Sequence, residues 1–290
     1  MDNRELVDLI TKEVMKVLRE KGLLDEPYSD GGWSSTDTSL LDLTSKEYKD
    51  TIQVTDPENP LAINAMRRST TARVGIGRAG ARLTTKAMLS LRADHAMAKD
   101  AVLKAADENI LRGMNLPVIQ SQAREINEHL TRPDLGRKLP PESVDFIKKN
   151  CKMNPQVQIY VSDGLSNSAI DENIREILPS LMDGLKHRGI DTGTPFFVRF
   201  GRVPTMDVIS EITGAEVTVV LLGERPGLAA ADSMSAYMAY KATVGMSESR
   251  RTVVSNIHKN GIQPVEAGAY LVEIIEKMLQ TKSSGVDLVL

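Results

Sequence analysis

Two short loops set charged side chains where a ligand could meet them. Gly201-Arg202-Val203-Pro204 and Gly223-Glu224-Arg225-Pro226-Gly227-Leu228 each place charge beside glycine and proline. Each follows an apolar run, Phe196 to Phe200 in one case and the valine-rich Glu216 to Leu222 in the other. Between the runs, Asp207 to Ile212 has helical spacing and stops at Gly214. Strand, short helix, strand over this length predicts a βαβ unit with parallel pairing. In such sheets ligands bind where the carboxyl ends of strands open into loops. A third loop of this kind, Ser162-Asp163-Gly164-Leu165-Ser166, follows the apolar Val157 to Val161. Asp163 there could orient a ligand or cap the next helix, and capping is the commoner use of such a residue. For Glu224 the plain alternatives are a salt bridge with Arg225 or a solvated charge, since exposed strand-end charges are routine.

No self-sufficient catalytic set accompanies these loops. The four histidines, His95, His129, His187 and His258, show no metal-ligand spacing with one another. The first three have charged or polar neighbours and are expected at the surface. There is no phosphate loop and no Cys-x-x-Cys. Gly75-Ile-Gly77-Arg-Ala-Gly80 is formally G-x-G-x-x-G. A dinucleotide site would need a strand before it and an acidic residue about 20 positions on, and neither is present. The stretch is expected to be a glycine-permitted bend between helices, with Arg73, Arg78 and Arg82 able to pair with a partner's carboxylates. These absences exclude a stand-alone nucleotide enzyme of Rossmann type.

Asn256-Ile-His258-Lys-Asn-Gly261 nearly matches the Asp-x-His-x-x-Gly signature in which histidine becomes the lower ligand of base-off cobalamin. Asparagine stands where an aspartate would hold the imidazole tautomer. Only 29 residues follow Gly261, too few for the rest of such a domain. The match is read as accidental, with His258 not a cobalt ligand.

The elements that must position these loops follow from composition and pattern. With 290 residues and a formal charge of -3, the chain can bury a full core, and two units are expected. So mild a charge argues against a general nucleic-acid or membrane-surface binder. The single cysteine, Cys151, excludes an internal disulfide. No apolar run approaches the roughly 18 residues of a membrane span, and no secretory signal is read. The thirteen methionines read as core filler.

Residues 2–21 predict an amphipathic helix, with Leu6, Leu9, Ile10, Val14, Val17 and Leu18 on one face and Asp2 and Glu5 as a capping box. A polar linker from 25 to 39 tethers it, which favours docking on another protein over packing on its own subunit. Helices dominate residues 60–113, with a long one from Leu83 to Ala106 capped by Thr84 or Thr85. Further on come a strand at Pro117–Ser121, an irregular loop, and a helix to Lys149 capped by Ser143. The strand Val157–Val161 and a helix from Asn167 to His187 follow. Asp232 to Tyr240 and a loop to Arg251 lead into a strand at Thr252–Asn256. Val265–Gln280 predicts a closing helix, and the tail is expected to pack or pair at an edge.

Six stretches together resemble the small (light) subunit of ethanolamine ammonia-lyase. They are RRSTTARVGIGRAGAR (67–82), LTRPDLGR (130–137), VSDGLS (161–166), TPFFVRFGRV (194–203), LLGERPGL (221–228) and RTVVSNIHKNGIQPVEA (251–267). They are long and in order, and the resemblance runs from about residue 60 to the end. The first helix resembles, in kind only, the short helices that target such subunits to bacterial microcompartments.

The resemblance implies an α/β fold: a Rossmann-like, mostly parallel sheet with flanking helices, preceded by a small helical domain, to which the residue pattern adds the tethered amphipathic helix. The resemblance does not cover the linker; with the residue pattern it gives the expected divisions 1–24 (docking helix), 25–59 (linker), 60–115 (helical domain) and 116–290 (cobalamin-binding domain). It implies adenosylcobalamin as cofactor, base-on, lying between this chain and a large subunit that is a TIM barrel carrying the substrate site. It further implies three dimers of heterodimers. The cofactor contacts it implies here are Val203, Glu224 and Val253, with no catalytic or metal-binding residue on this chain. Glu224 suits hydrogen bonds from the neutral corrin amides. The family can place cysteine at position 253, and valine there makes the contact one of backbone or van der Waals type. The alternative from another class is a microcompartment scaffold or docking protein, organised around the first helix, with no cofactor.

Overall fold

Continuous apolar runs flanked by helical segments build a layered α/β structure. The computed structural model describes residues 42–289. The helix expected over 2–21 and the polar stretch 25–39 lie outside the described residues. The sheet has six strands: β3 (Val118–Gln120), β4 (Val157–Ser162), β5 (Phe196–Arg199), β6 (Val217–Gly223), β7 (Met234–Tyr240) and β8 (Thr252–Ile257). Their order is β3-β5-β4-β6-β7-β8. β3, β5, β4 and β6 run parallel, and β7 is antiparallel to β6 and to β8. Every residue of β4 and β6 is buried. Parallel strands covered on both faces are predominantly apolar, and these two are, with Gln158, Ser162 and Thr218 the buried polar exceptions.

The expected βαβ unit forms, with one correction. β5 and β6 are parallel but do not pair. β4 lies between them, with Tyr160 opposite both Phe196 and Val220. The reason is burial: the wholly buried β4 needs a neighbour on each edge, and the crossover from β5 passes over it.

Helices cover both faces. α1 (Lys46–Lys49), α2 (Pro60–Arg68), α3 (Thr85–Leu103) and α4 (Glu108–Gly113) precede the sheet. α5 (Ile126–Thr131), α6 (Pro141–Asn150), α7 (Asn167–His187), α8 (Thr205–Thr213) and α9 (Pro264–Thr281) follow along the chain. On one face Ile170, Ile174, Ile177 and Leu181 of α7, at helical spacing, join Leu271 and Ile275 of α9 against Ile159, Val161, Val219 and Leu221. On the other, Ile147 of α6 and Met206 and Ile209 of α8 pack on Tyr160, Phe196, Val198 and Val220. Each such fully buried side chain contributes roughly 1.5–3 kcal/mol relative to exposure. Among the described residues no helix is long and apolar enough to cross a membrane.

Two further expectations change. The glycine-rich stretch at 75–80 contributes to a two-residue hairpin, β1 (Arg78–Ala79) with β2 (Arg82–Leu83). Arg73 pairs within its own chain, with the buried Asp94 that also meets Lys49 Nζ at 2.8 Å. Ser143 does not cap α6, whose N-cap is Pro140. Its hydroxyl instead donates to the Gln120 carbonyl at 2.8 Å and accepts the Gln120 N–H at 3.4 Å, along the outer side of β3. The carboxy-terminal stretch packs by hydrogen bonds: Ser284 Oγ accepts from Tyr240 N–H at 3.0 Å, and Thr252 Oγ1 accepts from Gly285 N–H at 2.9 Å.

Candidate functional site

α7 leaves β4 toward one face and α8 leaves β5 toward the other. A crevice therefore opens between the carboxyl ends of these neighbouring strands, as in other open α/β sheets. Asp163 stands in it, buried. It does not cap α7. Ser166 does, accepting the Ala169 N–H at 3.2 Å. Asp163 accepts the Phe200 N–H at 2.8 Å and lies 3.3 Å from the Ser162 hydroxyl. Phe200 is held at φ +59, a left-handed conformation uncommon for a bulky residue. Asp163 thus fixes the turn that leads into Arg202 and Val203. Burial raises its pKa to about 7, against the lowering effect of those hydrogen bonds.

Gly164 and Gly223 let two loop backbones touch. A Cβ on Gly164 would lie 2.3 Å from the Gly223 carbonyl, and one on Gly223 would lie 2.1 Å from the Ser166 carbonyl. Leu165 N–H donates to that same Gly223 carbonyl at 3.0 Å. His129, expected at the surface, is only 1% exposed. It is buried because its ring docks on the same hub: Nε2 faces the Gly164 carbonyl and the ring lies 5.6 Å from that of Phe200. Burial first, then the nearby Arg202 charge, lowers its pKa, and two backbone hydrogen bonds oppose them. Arg202 Nη2 donates to the His129 carbonyl at 2.6 Å.

Val203 is half-buried against the cluster under α8. Glu224 makes neither a salt bridge with Arg225 nor a purely solvated charge. Its Oε1 accepts the Ser235 hydroxyl and, at 3.2 Å, the Asn256 N–H. Ser235 lies 3.0 Å from the Ser255 hydroxyl. Ser235 has one proton and the carboxylate takes it, so Ser255 donates into the Ser235 oxygen. Among the described residues Oε2 has no partner, so it is free to accept from outside. A register irregularity between Met234 and Ala236 sits at Ser235, where a bulge can re-aim a side chain. Val253 is 41% exposed and lies opposite Tyr237, two residues along β8 from Ser255. Tyr237 feels Glu224: burial and then the Glu224 charge raise its pKa. Ser235 and Tyr237 of β7 and Val253 and Ser255 of β8 therefore gather beside Glu224, which follows β6. The sequence predicts Val203 and Glu224 on loops at neighbouring strand ends; the β4 loop lies between those loops, meeting the β5 turn through Asp163 and Phe200 and the end of β6 through Gly164 and Gly223.

The structure adds a pair that sequence reasoning missed. Arg251, just before β8, is buried with Asp207 of α8, with side-chain exposures of 1% and 3%. It also meets Glu248 at 2.8 Å. Burial raises the Asp207 pKa even though the guanidinium pulls it down. The only local sign was a charge at each end of apolar elements. His258 is also buried, with Nε2 2.9 Å from Asn256 Oδ1. Among the described residues no cluster could hold a metal ion. Two surface hollows lie elsewhere: one of about 1070 Å³ beside β3, and one of about 510 Å³ between α4 and α7. Neither is lined by Val203, Glu224 or Val253, and chemistry rather than hollow size marks the strand-end face.

Fold and site together define an α/β subunit with a mostly parallel sheet and an open polar face at its strand ends. The family model for the ethanolamine ammonia-lyase light chain (EutC) matches residues 60–289. The chain is 50% identical over 285 residues to the ethanolamine ammonia-lyase small subunit of Clostridium tetani, covering 98% of this chain and 95% of that one. It is 45% identical over 289 residues to the small subunit of Fusobacterium nucleatum, covering 99% and 98%. With that of Listeria monocytogenes the identity is 48% over 253 residues, covering 87% and 86%. The chain belongs to the ethanolamine ammonia-lyase light-chain family, whose members are subunits of a carbon–nitrogen lyase.

Proposed function

We propose that this chain joins a large subunit to form an adenosylcobalamin-dependent enzyme that converts ethanolamine to acetaldehyde and ammonia. Its strand-end loops supply part of a base-on cobalamin site at the interface of the two subunits. The observation that carries the reading is the posture of Glu224: Oε1 is held by Ser235 and Asn256, while among the described residues Oε2 has no partner. A carboxylate fixed in this way is ready to accept an N–H from a corrin amide. Val203 and Val253 supply apolar contact, and the Ser235 and Ser255 hydroxyls keep the surrounding face polar. These residues fit a large neutral-amide ligand. The cofactor, when bound, supplies the radical chemistry, and this chain positions and shields it.

A visible-absorbance titration of adenosylcobalamin tests the reading, with this chain alone and with the large subunit, followed by ethanolamine. Binding that needs both chains, with acetaldehyde formed, supports it. No binding in either case, with both chains folded, overturns it and favours a docking protein without cofactor. Replacing Glu224 by Ala should weaken cofactor retention by about 1–3 kcal/mol.

Residues 1–24 are proposed to be a targeting helix that docks on microcompartment shell or cargo, from their amphipathic pattern and polar tether. Their deletion should abolish encapsulation and leave the lyase activity intact. Loss of both together would refute a purely targeting role.

A further inference from the structure

Three arginines sit on or beside the loops that carry the proposed cofactor contacts. Arg202 directly precedes Val203, Arg225 directly follows Glu224, and Arg137 lies on the loop packed under Arg202. Arg202 N–H donates to the Gly136 carbonyl at 2.8 Å, and a Cβ on Gly136 would lie 2.8 Å from Arg202 Cγ. Arg202 is half-buried. Nη2 is tied to the His129 carbonyl, while Nε is buried without a partner. Electrostatics agree with this convergence: burial lowers the Arg202 pKa, Asp163 raises it, and the charges of Arg137 and Arg225 lower it again.

The surrounding carboxylates hold other groups, Glu224 through Oε1 alone. Asp134 pairs with Arg132 at 2.8 Å, Asp163 holds Phe200, and Glu224 holds Ser235 and Asn256. Among the described residues none of the three arginines makes an ion pair. Guanidinium groups without an ion-pair partner, one of them partly desolvated, call for an anion from outside, and their planar fork matches phosphate oxygens.

We infer that Arg202, Arg225 and Arg137 form an anion subsite for the phosphodiester in the nucleotide arm of the cofactor. This rests on the cobalamin reading above. The choice of anion follows from placement: the arginines flank the corrin contacts, and the corrin amides themselves are neutral. The phosphodiester is the one fixed negative charge that such a ligand brings.

The test uses the assembled complex with the large subunit. It compares adenosylcobalamin with adenosylcobinamide, which has the same corrin but lacks the phosphodiester and nucleotide. Because Arg202 also holds the His129 carbonyl, an Arg137→Gln/Arg225→Gln double variant is measured beside Arg202→Gln. Each variant should bind adenosylcobalamin about tenfold to a hundredfold more weakly and adenosylcobinamide as the wild type does. The wild-type affinity for cobalamin alone should fall with added salt. Equal losses for both ligands, or no loss for either, would overturn the subsite. Variants that fail to assemble with the large subunit, and so lose both corrinoids alike, would also overturn it and assign the arginines to acidic residues of that subunit. If the wild-type complex bound neither corrinoid, the cobalamin reading itself would fall and the subsite with it.

Discussion

Arg251 grips Asp207 with both arms of its guanidinium, Nη1 to Oδ1 at 2.7 Å and Nη2 to Oδ2 at 3.0 Å. The pair ties the first turn of α8, just after Val203, to the start of β8, just before Val253. Breaking it from one side should be costly. Arg251→Met leaves a buried carboxylate unpaired, and about 3–5 kcal/mol of stability should be lost. Adding Asp207→Leu should restore much of that, because no uncompensated charge remains. Urea unfolding of the single and double variants checks this, and equal losses in both would contradict it.

Asp163 makes stability depend on pH. Its folded-state pKa of about 7 lies above its ordinary value of 3.8, chiefly through burial. A raised folded pKa means stability that is fully present below about pH 4 and is lost as pH rises through about 7. Between pH 5 and pH 8 this residue should remove roughly 2–3 kcal/mol. Asp163→Asn cannot ionise, so its unfolding free energy should vary less over that window. An unchanged pH profile in the variant would refute the assignment.

Gly223→Ala places a methyl group 2.1 Å from one backbone carbonyl, of Ser166, and 2.5 Å from another, of Asp163. Neither can rotate away as a side chain could. The variant should lose about 1–3 kcal/mol from overpacking. The shift should fall on Glu224, the next residue. Cofactor retention should therefore drop further than the modest stability loss alone would produce, as a thermal melt and a corrinoid titration on one sample would reveal.

Val253 separates binding from folding. At 41% exposure on β8, Val253→Arg should change stability by no more than about 0.5 kcal/mol. The long charged side chain should nevertheless obstruct the face shared with Glu224. Full cofactor uptake by this variant would remove Val253 from the site.

Local patterns carried much of the fold. Helix α7 runs from Asn167 to His187 as its periodicity indicates, and Gly214 closes α8 in a left-handed conformation at φ +69. Strand β7, Met-Ser-Ala-Tyr-Met-Ala-Tyr, was harder to read because it has no β-branched residue. The insertion of β4 between β5 and β6 was not legible, since strand order depends on contacts remote in sequence. The same limit applied to the site. The charged strand-end loops stood out, and Glu224 with them. The Asp163 to Phe200 contact spans 37 residues and the Asp207 to Arg251 pair spans 44, so no local spacing announces either. His129 looked exposed because its sequence neighbours are polar, yet its ring fills a space made by Gly136 and Gly164.

The hydroxyl of Ser143 occupies both backbone groups of Gln120 along the outer border of the sheet. A free border of that kind is a template on which another chain can add a strand, the first step of aggregation. With Gln120 already engaged, a newly made copy awaiting assembly is protected there from joining its siblings edge to edge. Ser143→Ala should uncover that hazard, and the cost would be felt in the yield of soluble protein before it was felt in catalysis.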